Sequence, residues 1–318
     1  MYDKYHWKQL YLYPGLLALV IVDLWIIDRR YLNSNDFIPG EDMVAQFGIT
    51  AADLSIQSNM RDNDRMVDLT RSVFQDARPA YHYRTIGGNH GAKLRRYQDL
   101  IDHHLNREID ALRQGKQPAI PALNMLNTRF IKYGPQSDQY FNNITSLGFA
   151  WFVNDIKWVD TAMEELSAIS GLEGAQHAIV HSEFRPYFED FEESDLLYGK
   201  IELMEYGPEK IRYMTHSSTE QFAVFSEIWY KGNDYWKVAI DGAPSNYIRA
   251  NYLLRAMRIP AGSHEIIFEY HSTPMEVGEK ISAVGSIMLI IFILFVPGKF
   301  FWDKKRTQSI LHESTKGS

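Results

Sequence analysis

Two long apolar runs lie near the two ends of the 318-residue chain. The first extends from Leu10 to Ile27 and contains Asp23 as its only charged residue. The second extends from Ile281 to Pro297 and contains no charged residue. Each run is close to the shortest helix that spans the roughly 30 Å hydrocarbon core of a bilayer. The pattern therefore predicts two transmembrane helices, over residues 10–27 and 281–297.

A cleaved signal peptide is the alternative interpretation of the first run. The residues that follow it are Asp28, Arg29 and Arg30, which do not form a small-residue cleavage site. We therefore interpret the run as an uncleaved membrane helix.

The charged residues that flank the second run predict its orientation. The flank before it is mainly acidic and the flank after it is rich in basic residues: Glu276, Glu279 and Lys280 precede the run, and Lys299, Lys304, Lys305 and Arg306 follow it. Basic flanks of membrane helices stay in the cytoplasm. We therefore expect residues 1–9 and 298–318 to be cytoplasmic and the region between the two helices to face outward.

The first part of this outward region, residues 31–118, is predicted to be mainly helical. Its clearest helix has apolar residues three and four positions apart between Leu94 and Leu112. Gly115 stands where a helix typically ends. A second helix-like stretch extends from Ala51 to Phe74, with Thr50 as a suitable N-cap residue.

The second part, residues 119–275, has the pattern of a β-rich domain. Ile201–His216 and Phe222–Ile240 each resemble a hairpin, and Ile248–Met257 and Glu265–His271 resemble further strands. Strands at this spacing favour a β-sandwich or a jelly-roll-like module. The prediction is an α+β membrane protein, in which two transmembrane helices flank a helical part and a C-terminal β module.

The amino-acid composition limits the kinds of molecule that the protein is expected to bind. The formal net charge of −7 argues against nucleic acid as a partner, because phosphate backbones bind basic surfaces. The absence of cysteine excludes disulfides and thiolate metal sites. The bilayer itself is the partner that the apolar runs predict.

The segment from Tyr81 to Ile101 combines glycines with cationic residues. Its glycines are Gly87, Gly88 and Gly91, and His90, Lys93 and Arg96 lie among and after them. Glycine lets the backbone approach a ligand closely, and the first amides of a helix attract anions. These six residues are therefore a candidate anion site. The alternative is a tight turn that docks the following helix, with solvated basic residues.

The same segment resembles the signature of the YfhO family of bacterial multispan membrane proteins, which are similar to GT-C-type glycosyltransferases. Further short segments of the chain resemble conserved-looking segments of that family. In one of them, Phe149 stands where the family usually has an asparagine. These sequence blocks are Asn124–Phe130, Leu147–Val153, Phe225–Tyr230, Ile240–Gly242, Arg249–Met257 and Ile259–His264. The resemblance implies the C-terminal portion of such a protein.

The resemblance also implies a function. It indicates a role in lipid-linked-sugar-dependent glycosylation of cell-envelope polymers in the bacterial inner or plasma membrane. The partner would be a polyprenyl-phosphate-linked sugar or an envelope glycan. The family's catalytic region lies near its N-terminus and has no counterpart here, so whether this chain is an enzyme stays open. The alternative is a non-catalytic, membrane-anchored envelope protein that binds glycan or a protein partner.

Three residues outside the segment from Tyr81 to Ile101 are further candidate site residues. Asp23 is a candidate intramembrane functional residue, although it could instead pair with Arg29 or Arg30. His104 and Glu108 have helical spacing for a shared metal, but ordinary hydrogen bonding is favoured and no metal or cofactor is predicted.

Two further features lie in the β-rich part. The acidic run from Glu183 to Asp195 lacks the spacing of an EF-hand and is interpreted as a solvated loop. Several aromatic residues could stack on sugar rings, although alternation along a strand makes half of them core by default: Trp229, Tyr230, Tyr235 and Trp236.

Overall fold

The computed structural model describes residues 3–37, 39–42, 47–191, 199–230 and 235–314. The fold is α+β with several sheets, as predicted. Its contacts divide the chain into two compact units. The first contains residues up to 60, 65–90 and 130–142, and the second contains residues 61–64, 91–129 and everything from 143 onward. Both units are therefore discontinuous in sequence.

The first unit begins with helix α1, Asp3–Tyr31. Every side chain from residue 11 to the end of α1 is exposed, including those of its leucines, valines and isoleucines. Among the described residues, this is the one helix whose length and composition suffice to cross a membrane. The helix is longer than the predicted run at both ends, and Arg29 and Arg30 lie in its last turn, where cations suit the helix dipole.

The rest of the first unit is a short helix packed on a small sheet. Helix α2, Ala51–Asn59, begins as predicted at Thr50, whose side chain and that of Asp53 cap each other's backbone. The predicted helical stretch is wrong beyond Asn59, because strand β1 (Arg65–Asp68) follows. The remaining strands of this sheet, in the order β1-β2-β3, are β2 (Thr128–Lys132) and β3 (Tyr140–Asn142).

The core of the first unit joins these elements. Ile56 of α2, Met66 of β1 and Phe130 of β2 are all buried in it together with Tyr83. Beside this core, Lys132 Nζ lies 2.5 Å from Asp53 Oδ1, so the cation joins β2 to the start of α2.

The second unit contains the long helix that the sequence predicts. Helix α3 runs as an α-helix over Arg95–Leu100, as a π-helical turn over Ile101–Leu105, and as an α-helix again over Asn106–Arg113. Its buried residues recur every four positions at 100, 104 and 108 and at 101, 105 and 109. A regular 3.6-residue helix would rotate these positions out of line, and the wider π turn keeps them on one face. Gly115 follows with φ +71, as expected for a helix C-cap glycine.

Short elements connect this helix to the sheets. They are α4 (Pro121–Met125), α5 (Ala162–Ala168), the parallel pair β5 (Asp155–Val159) and β6 (His177–His181), and a 3-10 helix over Ser182–Phe188.

Two antiparallel sheets form the rest of the second unit. One has the order β11-β10-β14-β8-β7 and the other the order β12-β13-β9-β4. Their strands are β4 (Ala150–Val153), β7 (Gly199–Tyr206), β8 (Lys210–Ser217), β9 (Gln221–Ile228), β10 (Trp236–Ile240), β11 (Ala243–Ser245), β12 (Ile248–Ala250), β13 (Leu254–Ile259) and β14 (Gly262–Tyr270). Both sheets contribute to one hydrophobic core, with Tyr213 and Phe268 from the first and Phe225 and Met257 from the second.

One predicted hairpin is confirmed and one is wrong. β7 and β8 pair across the predicted turn at residues 206–209. By contrast, β9 pairs with β4 and β13, while β10 pairs with β11 and β14 in the other sheet. β9 lies between β13 and β4 in its sheet and is buried on both faces along most of its length. The predicted tip of this hairpin, residues 231–234, lies outside the described residues.

The predicted strand over Ile248–Met257 is also divided. Asn251 and Tyr252 have left-handed backbones, with φ of 48 and 72, and the chain turns there between β12 and β13. This turn divides the one predicted strand into two strands, β12 and β13, which pair antiparallel.

Helix α6, Thr273–Ser314, follows the last strand. It contains the second predicted membrane run, and the side chains of that run are exposed from residue 281 to residue 293. Its membrane crossing stays a prediction.

Candidate functional site

Two glycines of the predicted anion segment, Gly87 and Gly88, form a turn in which both backbone amides already donate hydrogen bonds within the protein. Gly87 N–H donates to Thr85 Oγ1 at 3.1 Å, and Gly88 N–H donates to the Val73 carbonyl at 2.7 Å. A Cβ on Gly87 would collide with that same carbonyl oxygen, and Gly88 has φ +114. Glycine is therefore required here for close docking of the turn onto Val73.

The six residues of the predicted anion site are divided between the two units. Gly87, Gly88 and His90 belong to the first unit, and Gly91, Lys93 and Arg96 belong to the second. Helix α3 begins at Arg95, after Leu94 as its N-cap residue, so the glycines do not lead directly into it. Anion binding by this segment stays a prediction.

Arg96 binds a carboxylate of its own chain. Its Nη1 lies 3.2 Å from Oε2 of Glu165, which is fully buried on α5, and it also donates to the Tyr252 carbonyl at 3.1 Å. Tyr252 N–H donates to the other oxygen of Glu165. The left-handed turn at Asn251–Tyr252 therefore presents the backbone N–H and carbonyl of Tyr252 to the buried Glu165 and the half-buried Arg96.

A second arginine extends the charge network toward the surface. Arg249 Nη2 lies 3.6 Å from Glu165 and donates to Glu183 Oε1 at 2.9 Å. The same guanidinium lies over two aromatic rings, 5.4 Å from the centroid of Phe184 and 5.3 Å from that of Trp229. Because the carboxylates fix the guanidinium, they also fix the position of the charge against these rings.

Phe184 and Trp229 line an open groove of about 730 Å³ in the second unit. Trp236 of β10 and Tyr247, which follows β11, also line it. The groove wall includes Gly242, the second residue of the tight turn between β10 and β11. This turn consists of Asp241 and Gly242, both with positive φ (51 and 80), which is the hairpin conformation that an Asp-Gly pair favours.

Neighbouring strands hold the turn and Trp236 in place. Asp241 accepts hydrogen bonds from Glu265 N–H at 2.8 Å and from the His264 ring at 2.6 Å. The Trp236 ring packs edge-to-face with Tyr270, with centroids 5.5 Å apart. Paired strands therefore hold Trp236 and the turn, whereas Phe184 belongs to the 3-10 helix and Trp229 and Tyr247 lie just outside the strands.

A buried arginine lies directly behind the groove wall. The guanidinium carbon of Arg255 is 4.0 Å from the centroid of the Trp236 ring and 5.3 Å from that of Phe268. Its Nε donates to the Ile228 carbonyl at 3.2 Å, and its Nη1 is buried with no hydrogen-bond partner among the described residues. Burial lowers the pKa of Arg255, but a guanidinium stays charged at neutral pH.

The aromatic residues predicted for sugar stacking separate into two groups. Trp229 and Trp236 line the groove. Tyr235 packs against Tyr270, and Tyr230 is 39% exposed. Sequence reasoning missed the two arginines. Their signal in the sequence was an arginine at each end of the mainly apolar stretch 250–254, Arg249 and Arg255.

The remaining predicted residues have local partners or stay untested. His104 Nε2 bonds to the Leu166 carbonyl at 2.7 Å, and Glu108 accepts from the backbone N–H groups of Ala122 and Leu123. No group of three or more metal-binding side chains occurs among the described residues. Asp23 is exposed on α1, and its functional role stays a prediction.

The acidic run is only partly described. Its first residues form the 3-10 helix that carries Glu183 and Phe184, and its residues from 192 onward lie outside the described part of the chain. Glu183 is therefore a partner of Arg249 and not simply part of a solvated loop.

Comparisons with known proteins identify no relative of this chain. No protein-family profile, no curated protein and no solved structure matches the chain. The resemblance to the YfhO family therefore stays a prediction from the sequence blocks.

Proposed function

We propose that this chain is a membrane-anchored protein that binds glycans in the aromatic groove of its second unit. The observation that carries the proposal is the gathering of Phe184, Trp229, Trp236 and Tyr247 in one open groove of about 730 Å³. This volume falls in the roughly 300–1,000 Å³ range of ligand pockets. The two sheets that support it are proposed to form the predicted β-sandwich.

The chemistry of the groove suits a sugar. Sugar rings present apolar C–H faces, which pack on aromatic rings, and hydroxyl edges, which need hydrogen-bond partners. Ser245, Asn246, Lys237 and Glu269 supply such partners beside the rings. Because the groove is open along one side, it can bind a segment of a polymer as well as a free small molecule.

The rings are fixed before a ligand arrives. Arg249 lies against Phe184 and Trp229, and Arg255 lies against Trp236. Because the rings already have ordered partners, binding costs less conformational entropy than it would for mobile side chains.

The membrane part of the proposal rests on α1 and on the charges around α6. Helix α1 exposes apolar side chains on all faces, which requires an apolar environment that its own unit does not supply for the described residues. The basic flank after residue 297 favours a cytoplasmic C-terminus. In this proposal the groove lies outside the cytoplasm, where envelope glycans are found.

The YfhO-like sequence blocks support a second candidate function. In it, the chain is the C-terminal portion of a membrane protein that takes part in lipid-linked-sugar-dependent glycosylation. The groove would then hold the acceptor glycan. Catalysis would depend on regions that do not resemble any part of this chain.

Tryptophan substitutions test the glycan proposal. The detergent-solubilised full chain is titrated with glucan, mannan and galacturonan tetrasaccharides by calorimetry. We expect saturable binding to at least one of them, weakened at least about tenfold in Trp229→Ala and Trp236→Ala, because truncating an aromatic anchor typically costs more than about 1.4 kcal/mol.

Trp158→Ala is the matched control. Trp158 packs against Phe188 with ring centroids 5.2 Å apart and does not line the groove. Equal weakening by Trp158→Ala, or unchanged binding in both groove variants with folded circular dichroism spectra, would refute the groove as the binding site. Absence of binding to all three sugars counts against the proposal itself.

A further inference from the structure

The part of the chain that follows the apolar run of α6 is basic, whereas the rest of the chain is acidic. Residues 298–318 contain five basic and two acidic residues, a formal charge of +3. Residues 1–297 contain the remaining 28 basic and 38 acidic residues, a formal charge of −10. Four of the five cations lie close together: Lys299, Lys304, Lys305 and Arg306. We call residues 299–306 the basic segment.

Helix α6 does not end where its apolar run ends. It extends from Thr273 to Ser314, so the apolar run and the basic segment belong to one helix. An α-helix rises 1.5 Å per residue, so position 306 lies about 14 Å beyond position 297 along the helix. The basic segment therefore continues the apolar run as ordered helix and at a defined distance from it.

In the proposed membrane topology, this distance brings the basic segment to the surface of the cytoplasmic leaflet. The headgroup layer adds about 5–7 Å on each side of the hydrocarbon core. The potential of charged lipids extends further by about a Debye length, roughly 8 Å at physiological salt. Position 299 then falls within the headgroup layer, and positions 304–306 fall within the range of its potential. Between them stand Phe300, Phe301 and Trp302, and aromatic residues are enriched at this depth.

The other end of the apolar run has the opposite balance of charge. Glu276, Glu279 and Lys280 precede the run, and all three are exposed on α6. Acidic side chains repel an anionic surface. The charge of α6 is therefore complementary to an anionic membrane surface at its C-terminal end only.

We propose that the basic segment of α6 binds the headgroups of anionic phospholipids in the cytoplasmic leaflet. The carrying observation is the concentration of positive charge on the helix just beyond the apolar run, in a chain that is otherwise acidic. A single cation near an anionic surface favours binding by about fivefold, and several neighbouring cations act together. This inference rests on the membrane-anchored part of the proposed function and is independent of glycan binding.

Spin-labelled lipids measure this selectivity. The full chain is purified in detergent and reconstituted into phosphatidylcholine vesicles that contain a trace of spin-labelled phosphatidylglycerol or of spin-labelled phosphatidylcholine. Lipids that contact a membrane-spanning protein lose mobility, and the immobilised fractions give the relative association constant of the two lipids.

We expect phosphatidylglycerol to be preferred at least about twofold at low salt. This value is lower than that for a single cation, because lipids that contact other parts of the protein dilute the effect. The preference should shrink as salt shortens the Debye length from about 10 Å at 0.1 M to about 3 Å at 1 M.

A triple variant assigns the preference to the basic segment. Lys304→Gln/Lys305→Gln/Arg306→Gln removes three cations, and glutamine is a good helix former, so α6 should persist. This variant should lose most of the preference for phosphatidylglycerol. Far-ultraviolet circular dichroism of the reconstituted protein checks that its helix content is unchanged.

The matched control removes the same number of charges elsewhere. Lys116→Gln/Lys157→Gln/Lys200→Gln changes three exposed lysines of the second unit. None of them belongs to α6 or lines the aromatic groove. The control should keep the preference of the unmodified chain.

The outcomes separate this inference from the proposed function. Equal association of the two lipids, or a preference that 1 M salt leaves unchanged, would overturn the inference. So would a preference that survives in the triple variant or falls equally in the control. The salt series needs only the unmodified chain and so holds even if the triple variant does not reconstitute. Absence of any immobilised lipid would instead remove the membrane-anchored part of the proposed function.

Discussion

At the scale of single residues, the buried face of α3 contains two titratable groups that a hydrophobic pattern does not reveal. His104 and Glu108 are 4% and 3% exposed and lie among the apolar residues of that face. Sequence spacing predicted the face correctly, but not that Glu108 would cap the N-terminus of α4. That contact depends on a turn between the two helices, and no local pattern records it.

Glu108 should make stability depend on pH. Burial raises the pKa of Glu108 to about 7, outweighing its two backbone donors, compared with 4.5 in the unfolded chain. Between these values the folded state holds a proton that the unfolded state has released. Stability should therefore be unaffected by this group below pH 4.5 and fall as pH rises toward 7, by up to about 3 kcal/mol in total.

Urea unfolding of the detergent-solubilised chain from pH 5 to 8 measures this effect. In Glu108→Gln the pH-dependent loss should disappear, whereas Asp110→Asn, which removes an exposed carboxylate from the same helix, should keep the slope of the unmodified protein. Burial lowers the pKa of His104, so that histidine destabilises the fold only as pH falls below 6.5 and its effect has the opposite sign. Parallel curves for Glu108→Gln and the unmodified chain would contradict the prediction.

The turn at Asn251–Tyr252 shows why one strand prediction failed. Asn251 N–H donates to the Ile179 carbonyl, and its side-chain oxygen accepts from Ile179 N–H, so the residue extends the pairing of β6. Asparagine tolerates a left-handed backbone, but tyrosine rarely adopts one. The conformation of Tyr252 is maintained by its contacts with Glu165 and Arg96, which are distant in sequence.

At the scale of elements, strands were easier to predict than their partners. The Gly-Pro turn between β7 and β8 is a local signal, and that hairpin is confirmed. β9 and β10 are also consecutive, yet they belong to different sheets. The alternation of apolar and polar residues indicates which face of a strand is buried, but not which strand lies beside it. Here β9 and β10 belong to opposite sheets, and both contribute side chains to the same core.

The hairpin between β10 and β11 gives a prediction at this scale. Gly242→Ala should destabilise the protein by about 1 kcal/mol, because a left-handed backbone costs an L-residue about 1–2 kcal/mol. Since Gly242, Pro244 and Ser245 all line the groove, the same change should also weaken glycan binding. Thermal unfolding and calorimetric titration of the variant measure the two effects.

Gly171→Ala is the matched control for this turn. Gly171 also has open space around its Cα, but it ends a 3-10 helix and does not have a positive φ. We expect little change in its stability or binding. If Gly242→Ala is as stable as the unmodified chain, the prediction is wrong, because an alanine side chain then causes no strain in the Asp241–Gly242 turn.

At the scale of the whole molecule, the candidate site was only partly visible in the sequence. Aromatic residues of the strands could be named as sugar-stacking candidates, and Trp229 and Trp236 do line the groove. The arginines behind them could not, because a charged residue within an apolar stretch resembles a strand end or a sheet edge. Their burial results from packing between two sheets and α5, which join distant parts of the chain.

The predicted topology, in which both α1 and α6 cross the membrane, can be tested directly. The chain lacks cysteine, so each introduced cysteine is the only reactive thiol. Ser58 in the first unit and Ser170 in the second are exposed, and Ser309 lies in α6 beyond the basic flank. If both helices cross the membrane, Ser58→Cys and Ser170→Cys should react with a charged maleimide on intact bacterial cells.

The remaining position distinguishes one span from two. Ser309→Cys should react only after the cells are permeabilised, because a charged reagent does not cross the hydrocarbon core. Labelling of Ser309→Cys on intact cells together with Ser170→Cys would leave α1 as the single span. The intact mass of the purified chain resolves the other alternative: a cleaved signal peptide removes α1, whereas an uncleaved helix leaves the mass of the full sequence.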